Sequence, residues 1–69
     1  MERRRVVSSN LVSVGYDDQN STLEIEFGSG VYDYFGVPND VYSGLMRADS
    51  HGKYFHRNIR DKYPYNKVR

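Results

Sequence analysis

The chain has 69 residues, no cysteine, two histidines and a formal net charge of +1. A chain this short makes one domain with one small core. Without cysteine it holds neither a disulfide framework nor a thiolate zinc site, so packing must stabilise it, with oligomerisation as the remaining aid.

The chain opens on Met1-Glu2-Arg3-Arg4-Arg5. No apolar stretch of a secretory signal follows, so residues 1–5 read as a flexible basic segment. Leu11 to Tyr16 alternates, with Val12, Val14 and Tyr16 expected on one face. Asp17 to Ser21 is turn-rich. Thr22 to Phe27 alternates cleanly: Leu23, Ile25 and Phe27 face one way, Glu24 and Glu26 the other. Gly28-Ser29-Gly30 supplies the backbone freedom of a tight hairpin. Val31 to Phe35 is a third strand. Its Tyr32 and Tyr34 share a face, either as core rings or as a stacking platform, and Asp33 then joins Glu24 and Glu26 outside.

The period changes after Gly36-Val37-Pro38. From Asn39 to Ala48, Val41, Tyr42, Leu45 and Ala48 gather on one face at helical spacing. Asp40 in the first turn and Arg47 in the last agree with the helix dipole. Ser50 is an N-cap for a second helix running to about Lys62, before Pro64. The predicted fold is α+β: a three-stranded antiparallel β-meander followed by two helices packed on one face. Residues 6–65 make the single domain, and residues 66–69 a tail.

At this point the residues resemble a known family. Ser8-Ser9-Asn10-Leu11, Val14-Gly15-Tyr16-Asp17 and Leu23-Glu24-Ile25-Glu26-Phe27 look like the opening of the KTSC domain. Its central Tyr-x-Tyr is Tyr32-Asp33-Tyr34. Then come Gly36-Val37-Pro38, Val41-Tyr42, Ala48-x-Ser50-x-Gly52-Lys53-Tyr54-Phe55, Ile59-Arg60 and Tyr63. The similarity runs from about Val7 to Val68, and the ordered set carries it rather than any one motif. The domain occurs at the C-terminus of some lysyl-tRNA synthetases and as a small bacterial protein. Its function is uncharacterised. The resemblance implies RNA binding only through that attachment.

Charge is unevenly placed. Residues 1–5 carry +2, residues 6–50 carry −6 and residues 51–69 carry +5. Both ends are basic around an acidic middle, a handle for an anionic partner. On the second helix, Lys53, Arg57 and Arg60 fall within roughly a 60° arc, with His56 adjacent. Lys62, Lys67 and Arg69 extend the positive surface. Such donors suit phosphate oxygens, so RNA, as tRNA or a single strand, is the first expected partner. The alternative is a solvated helix face. Ser50, His51 and Gly52 at the helix start form a second, anion-binding candidate.

No catalytic residue, cofactor or metal ligand is expected. His51 and His56 lie roughly 140° apart around a helix and share no face. There is no Gly-x-Ser-x-Gly elbow, Walker loop or dinucleotide fingerprint. No apolar run is long enough to span a membrane, and a cytoplasmic binding module is the expectation. The competing reading is a protein-interaction or homodimerisation module using an edge strand or the face of Tyr32 and Tyr34.

Overall fold

The computed structural model describes residues 1–69. Its elements are β1 (Arg3–Arg5), β2 (Leu11–Asp17), β3 (Thr22–Phe27), β4 (Gly30–Phe35), α1 (Asn39–Arg47), α2 (His51–Asn58) and β5 (Tyr65–Lys67). The fold is α+β, but the antiparallel sheet has five strands in the order β1-β2-β3-β4-β5, not three.

Both extra strands come from the chain ends. Residues 1–5, expected to be flexible, place Arg3 opposite Gly15 and Arg5 opposite Ser13. Arg3 is held from its side chain as well: Nε donates to Ser13 Oγ at 2.9 Å and Nη1 to Glu24 Oε1 at 2.6 Å. At the other end Tyr65 lies opposite Tyr34 and Lys67 opposite Tyr32. The ladder continues into the expected tail, where the Val31 N–H donates to the Arg69 carbonyl at 3.0 Å. An edge strand needs backbone pairing on one side only, and charged residues there oppose edge-to-edge association. That is why Arg-Arg-Arg and Tyr-Asn-Lys form strands without an apolar pattern.

The central meander follows its alternation. Leu23 pairs with Tyr34 and Ile25 with Tyr32, all facing the helices. Strand β2 departs from the expected phase. A register shift between Leu11 and Ser13 makes Val12 the extra residue. Leu11, Val14 and Tyr16 therefore face the core side while Val12 does not join it. A bulge of this kind inserts one residue and restores the inward face beyond it.

Helix α2 is shorter than expected. The N–H groups of Ile59 and Arg60 both donate to the Phe55 carbonyl at 2.9 Å. Asp61 then adopts φ 63°, and the chain turns back toward β4. Asp visits this left-handed region more readily than most residues. Ile59 at the helix end is fully buried beside Leu11, Val14, Leu23, Ile25, Tyr34, Val37, Leu45 and Phe55. Burying each such large apolar side chain contributes about 1.5–3 kcal/mol. The core thus lies between one face of the sheet and the two helices.

Candidate functional site: an aromatic cleft beside the second helix

Helix α2 covers only part of the inner sheet face. Phe55 sits over the sheet, with ring centroids 5.5 Å from Tyr34 and 5.2 Å from Phe27, both edge-to-face. Beyond it, β4 and β5 carry Tyr32 and Tyr65, whose centroids are 6.0 Å apart. Tyr65 also lies 5.7 Å from Tyr34 and remains 61% exposed. These five rings line an open cleft of about 620 Å³. Its volume falls within the ~300–1,000 Å³ typical of ligand sites.

The cleft is polar at its margins. His56 and Arg60 stand on the α2 side with Asp61, while Asn10 and Ser29 line it on the other elements. Arg60 Nη1 lies 3.2 Å from His56 Nδ1. Guanidinium only donates, so Nδ1 accepts and the proton of neutral His56 sits on Nε2. Lys67 Nζ stands 6.0 Å from the Tyr32 ring centroid, a cation over an aromatic face. Burial pushes the Tyr34 hydroxyl up to about 12, helped by neighbouring Tyr32 and Tyr65 and opposed by Arg60. The hydroxyl therefore stays protonated and remains a donor.

The expected basic residues separate in the folded chain. Lys53 and Arg57 are exposed on α2 and stand outside the cleft lining. Arg60 lies past the helix end, so the three do not continue as one helical ridge. Arg60 and His56 enter the cleft instead. Lys62 is exposed on the turn, and Lys67 reaches the cleft's aromatic wall from β5. Tyr34 is a core ring, whereas Tyr32 is half-buried and lines the cleft.

Ser50 caps α2 and accepts the Lys53 N–H at 3.2 Å. His51 Nδ1 donates to the Leu45 carbonyl at 2.7 Å, tying the start of α2 to the end of α1. A Cβ on Gly52 would come within 2.9 Å of Asn10 Nδ2, so the glycine makes room for that side chain. These three residues join the helices and seat Asn10 at the cleft. Sequence reasoning missed Tyr65, Phe27, Phe55 and Asn10 as cleft residues. No local pattern in Tyr65-Asn66-Lys67 marks the strand that carries Tyr65.

The opposite sheet face carries the acidic residues. Glu24 lies across from Asp33 on β4 and from Gly15 on β2. Ser13 Oγ donates to Glu26 at 2.8 Å. The carboxylates stand outside as the alternation predicts, but β1 adds Arg3 and Arg5 to the same face, so its charge is mixed rather than acidic. This face is separated from the cleft by the thickness of the sheet.

Together these features define a small α+β domain: a five-stranded antiparallel sheet, two helices on one face, and an aromatic cleft left open beside the second. The chain belongs to the KTSC domain family, whose model matches residues 7–63. It is 41% identical over 64 residues to an uncharacterised protein of Stutzerimonas stutzeri, covering 91% of this chain and 90% of that one. It is also 44% identical over 54 residues to a lysine–tRNA ligase of Trichormus variabilis, covering 77% of this chain but 10% of the ligase. The crystal structure of a KTSC domain protein from Yersinia pestis superposes with a TM-score of 0.97 at 39% identity, covering 99% of this chain and 97% of that one. No helix is long and apolar enough to cross a membrane.

Proposed function

We propose that the chain is a binding module for single-stranded nucleic acid, with RNA as the first candidate. One observation carries this reading: an open aromatic cleft lined by Arg60 and His56, with Lys67 standing over the face of Tyr32, one of its rings. Aromatic faces bind unpaired bases, and neighbouring cations bind the phosphates between them. Lys53 and Arg57 extend the positive surface along α2. The likeness to one segment of a lysine–tRNA ligase agrees with an RNA partner.

Fluorescence anisotropy with a labelled oligouridine and with tRNA tests the proposal. Binding should weaken as salt rises, because each neutralised phosphate releases counterions. Replacing Arg60 and Lys67 together by Ala should lower the affinity and reduce the salt slope by about two. Absence of salt-dependent binding up to tens of micromolar protein, a scale of roughly 10⁻⁵ M, overturns the reading.

A second reading is favoured by one feature. Strand β5 is exposed at all three residues and forms an open sheet edge. Such an edge can pair with another chain. Light scattering over a concentration series separates the two: self-association without nucleic-acid binding supports the edge.

A further inference from the structure

Resting on the nucleic-acid reading, we infer that the cleft takes one unpaired base of the bound strand, with Arg60 on the adjoining phosphate. The cleft brings three kinds of group together: five aromatic rings, the polar Asn10 beside Gly52 at the start of α2, and Arg60 with His56 and Asp61 toward the other end of that helix. A purely electrostatic surface for a backbone needs no such slot. A nucleotide has the matching parts: a flat π-face, a hydrogen-bonding base edge and an anion.

Each part has a group suited to it. Tyr65 offers an exposed face at the mouth, tilted 53° to Tyr32, so the two rings do not stack on each other. The Asn10 side chain lies beside Gly52, where its amide offers both a donor and an acceptor. An Asn amide reads a base edge through that pair. The Arg60 guanidinium has five donors, and the bond to His56 Nδ1 uses one of its nitrogens. Its remaining fork is available for bidentate contact with a phosphate. Asp61 is the one acidic side chain in the lining.

An aromatic slot that selects bases predicts a dependence on the base that charge alone does not. The test compares a labelled hexauridine with an oligonucleotide of equal length and charge whose residues lack bases, each titrated against the full chain. Stacking of one base corresponds to about a five- to 150-fold change in affinity. The abasic strand should therefore bind at least about fivefold more weakly. Tyr65→Ala should weaken the hexauridine complex and leave the abasic one unchanged. Because Tyr65 also packs on Tyr34, a second variant, Ser29→Trp, fills the cleft from an exposed turn and should act the same way. Equal binding of the two strands, or equal weakening of both by the variants, overturns the base slot while leaving strand binding intact. Failure of both strands to bind the unaltered chain overturns both the slot and the nucleic-acid reading.

Discussion

Glu24 and Asp33 face each other across β3 and β4, and Asp33 Oδ1 is buried there without a hydrogen-bond partner. Two ionised carboxylates cannot bond to each other, but a protonated one can donate to its neighbour. Burial, then the bond to Glu24 and its charge, raise Asp33 from 3.8 to about 6. For Glu24 burial alone would act upward, but bonding to Asp33 and Arg3 outweighs it and holds the group below 4.5. The proton of the pair therefore resides on Asp33.

This sets a pH dependence of stability. Asp33 takes up a proton more readily folded than unfolded. Its contribution is complete below 3.8 and is lost as pH rises through about 6. Glu24 works in the opposite sense, and its contribution is lost as pH falls below 4.5. Urea unfolding of the native chain and of Asp33→Asn, compared between about pH 5 and 7, isolates Asp33. Stability should fall more across that window in the native chain than in Asp33→Asn. Carbon NMR titration of the Asp33 carboxyl near its ordinary value of 3.8 would contradict this assignment.

Arg3 couples this pair to the first strand. Its Nη1 bond to Glu24 is 2.6 Å, and its charge acts to lower Asp33. Arg3→Ala should therefore raise the Asp33 midpoint further above 6. It should cost about 1 kcal/mol, as expected of a partly exposed ion pair. Hydrogen exchange should accelerate in β1 and remain slow in β3, since only the edge strand depends on this anchor.

Tyr16 joins the sheet to the first helix in two ways. Its ring stacks on Tyr42 with centroids 4.7 Å apart, and its hydroxyl donates to the Val37 carbonyl at 2.6 Å. Tyr16→Phe keeps the stack and leaves that carbonyl without its donor, costing about 1–3 kcal/mol. Tyr16→Ala removes both and should cost about 3–5 kcal/mol, enough to unfold a chain of this size. Denaturant midpoints of the two variants measure the difference.

Gly44 sets the approach of the helices. A Cβ there would overlap the Tyr54 ring, meeting Cζ at 2.7 Å. Gly→Ala inside a helix normally stabilises by about 0.8–1 kcal/mol. Here Gly44→Ala should instead destabilise by about 1–3 kcal/mol, because the ring must move. Adding Tyr54→Ala should recover part of that loss relative to Tyr54→Ala alone. Thermal unfolding of the three variants gives the coupling.

Strands β2 to β4, both helices and the outward placement of Asp33 were legible because each rests on local periodicity. Leu23, Ile25 and Phe27 alternate, and Val41, Tyr42 and Leu45 recur at helical spacing, so one buried face is visible in each segment. Val12 misled because a bulge changes the phase of a strand without changing its composition. The edge strands were not legible. Arg3–Arg5 and Tyr65–Lys67 are held by backbone bonds to a neighbour, which leave no apolar signature.

The basic residues show the same division. The sequence determined that positive charge collects in residues 51–69, and that tyrosine must serve in a small core. It did not determine where those charges stand. The turn at Asp61 takes Arg60 off the helix and brings Tyr65 onto Tyr34 and Lys67 onto Tyr32. A helical ridge is a one-dimensional pattern that spacing can propose. A cleft depends on which strand the returning chain pairs with, and that long-range pairing was decided only in the tertiary structure.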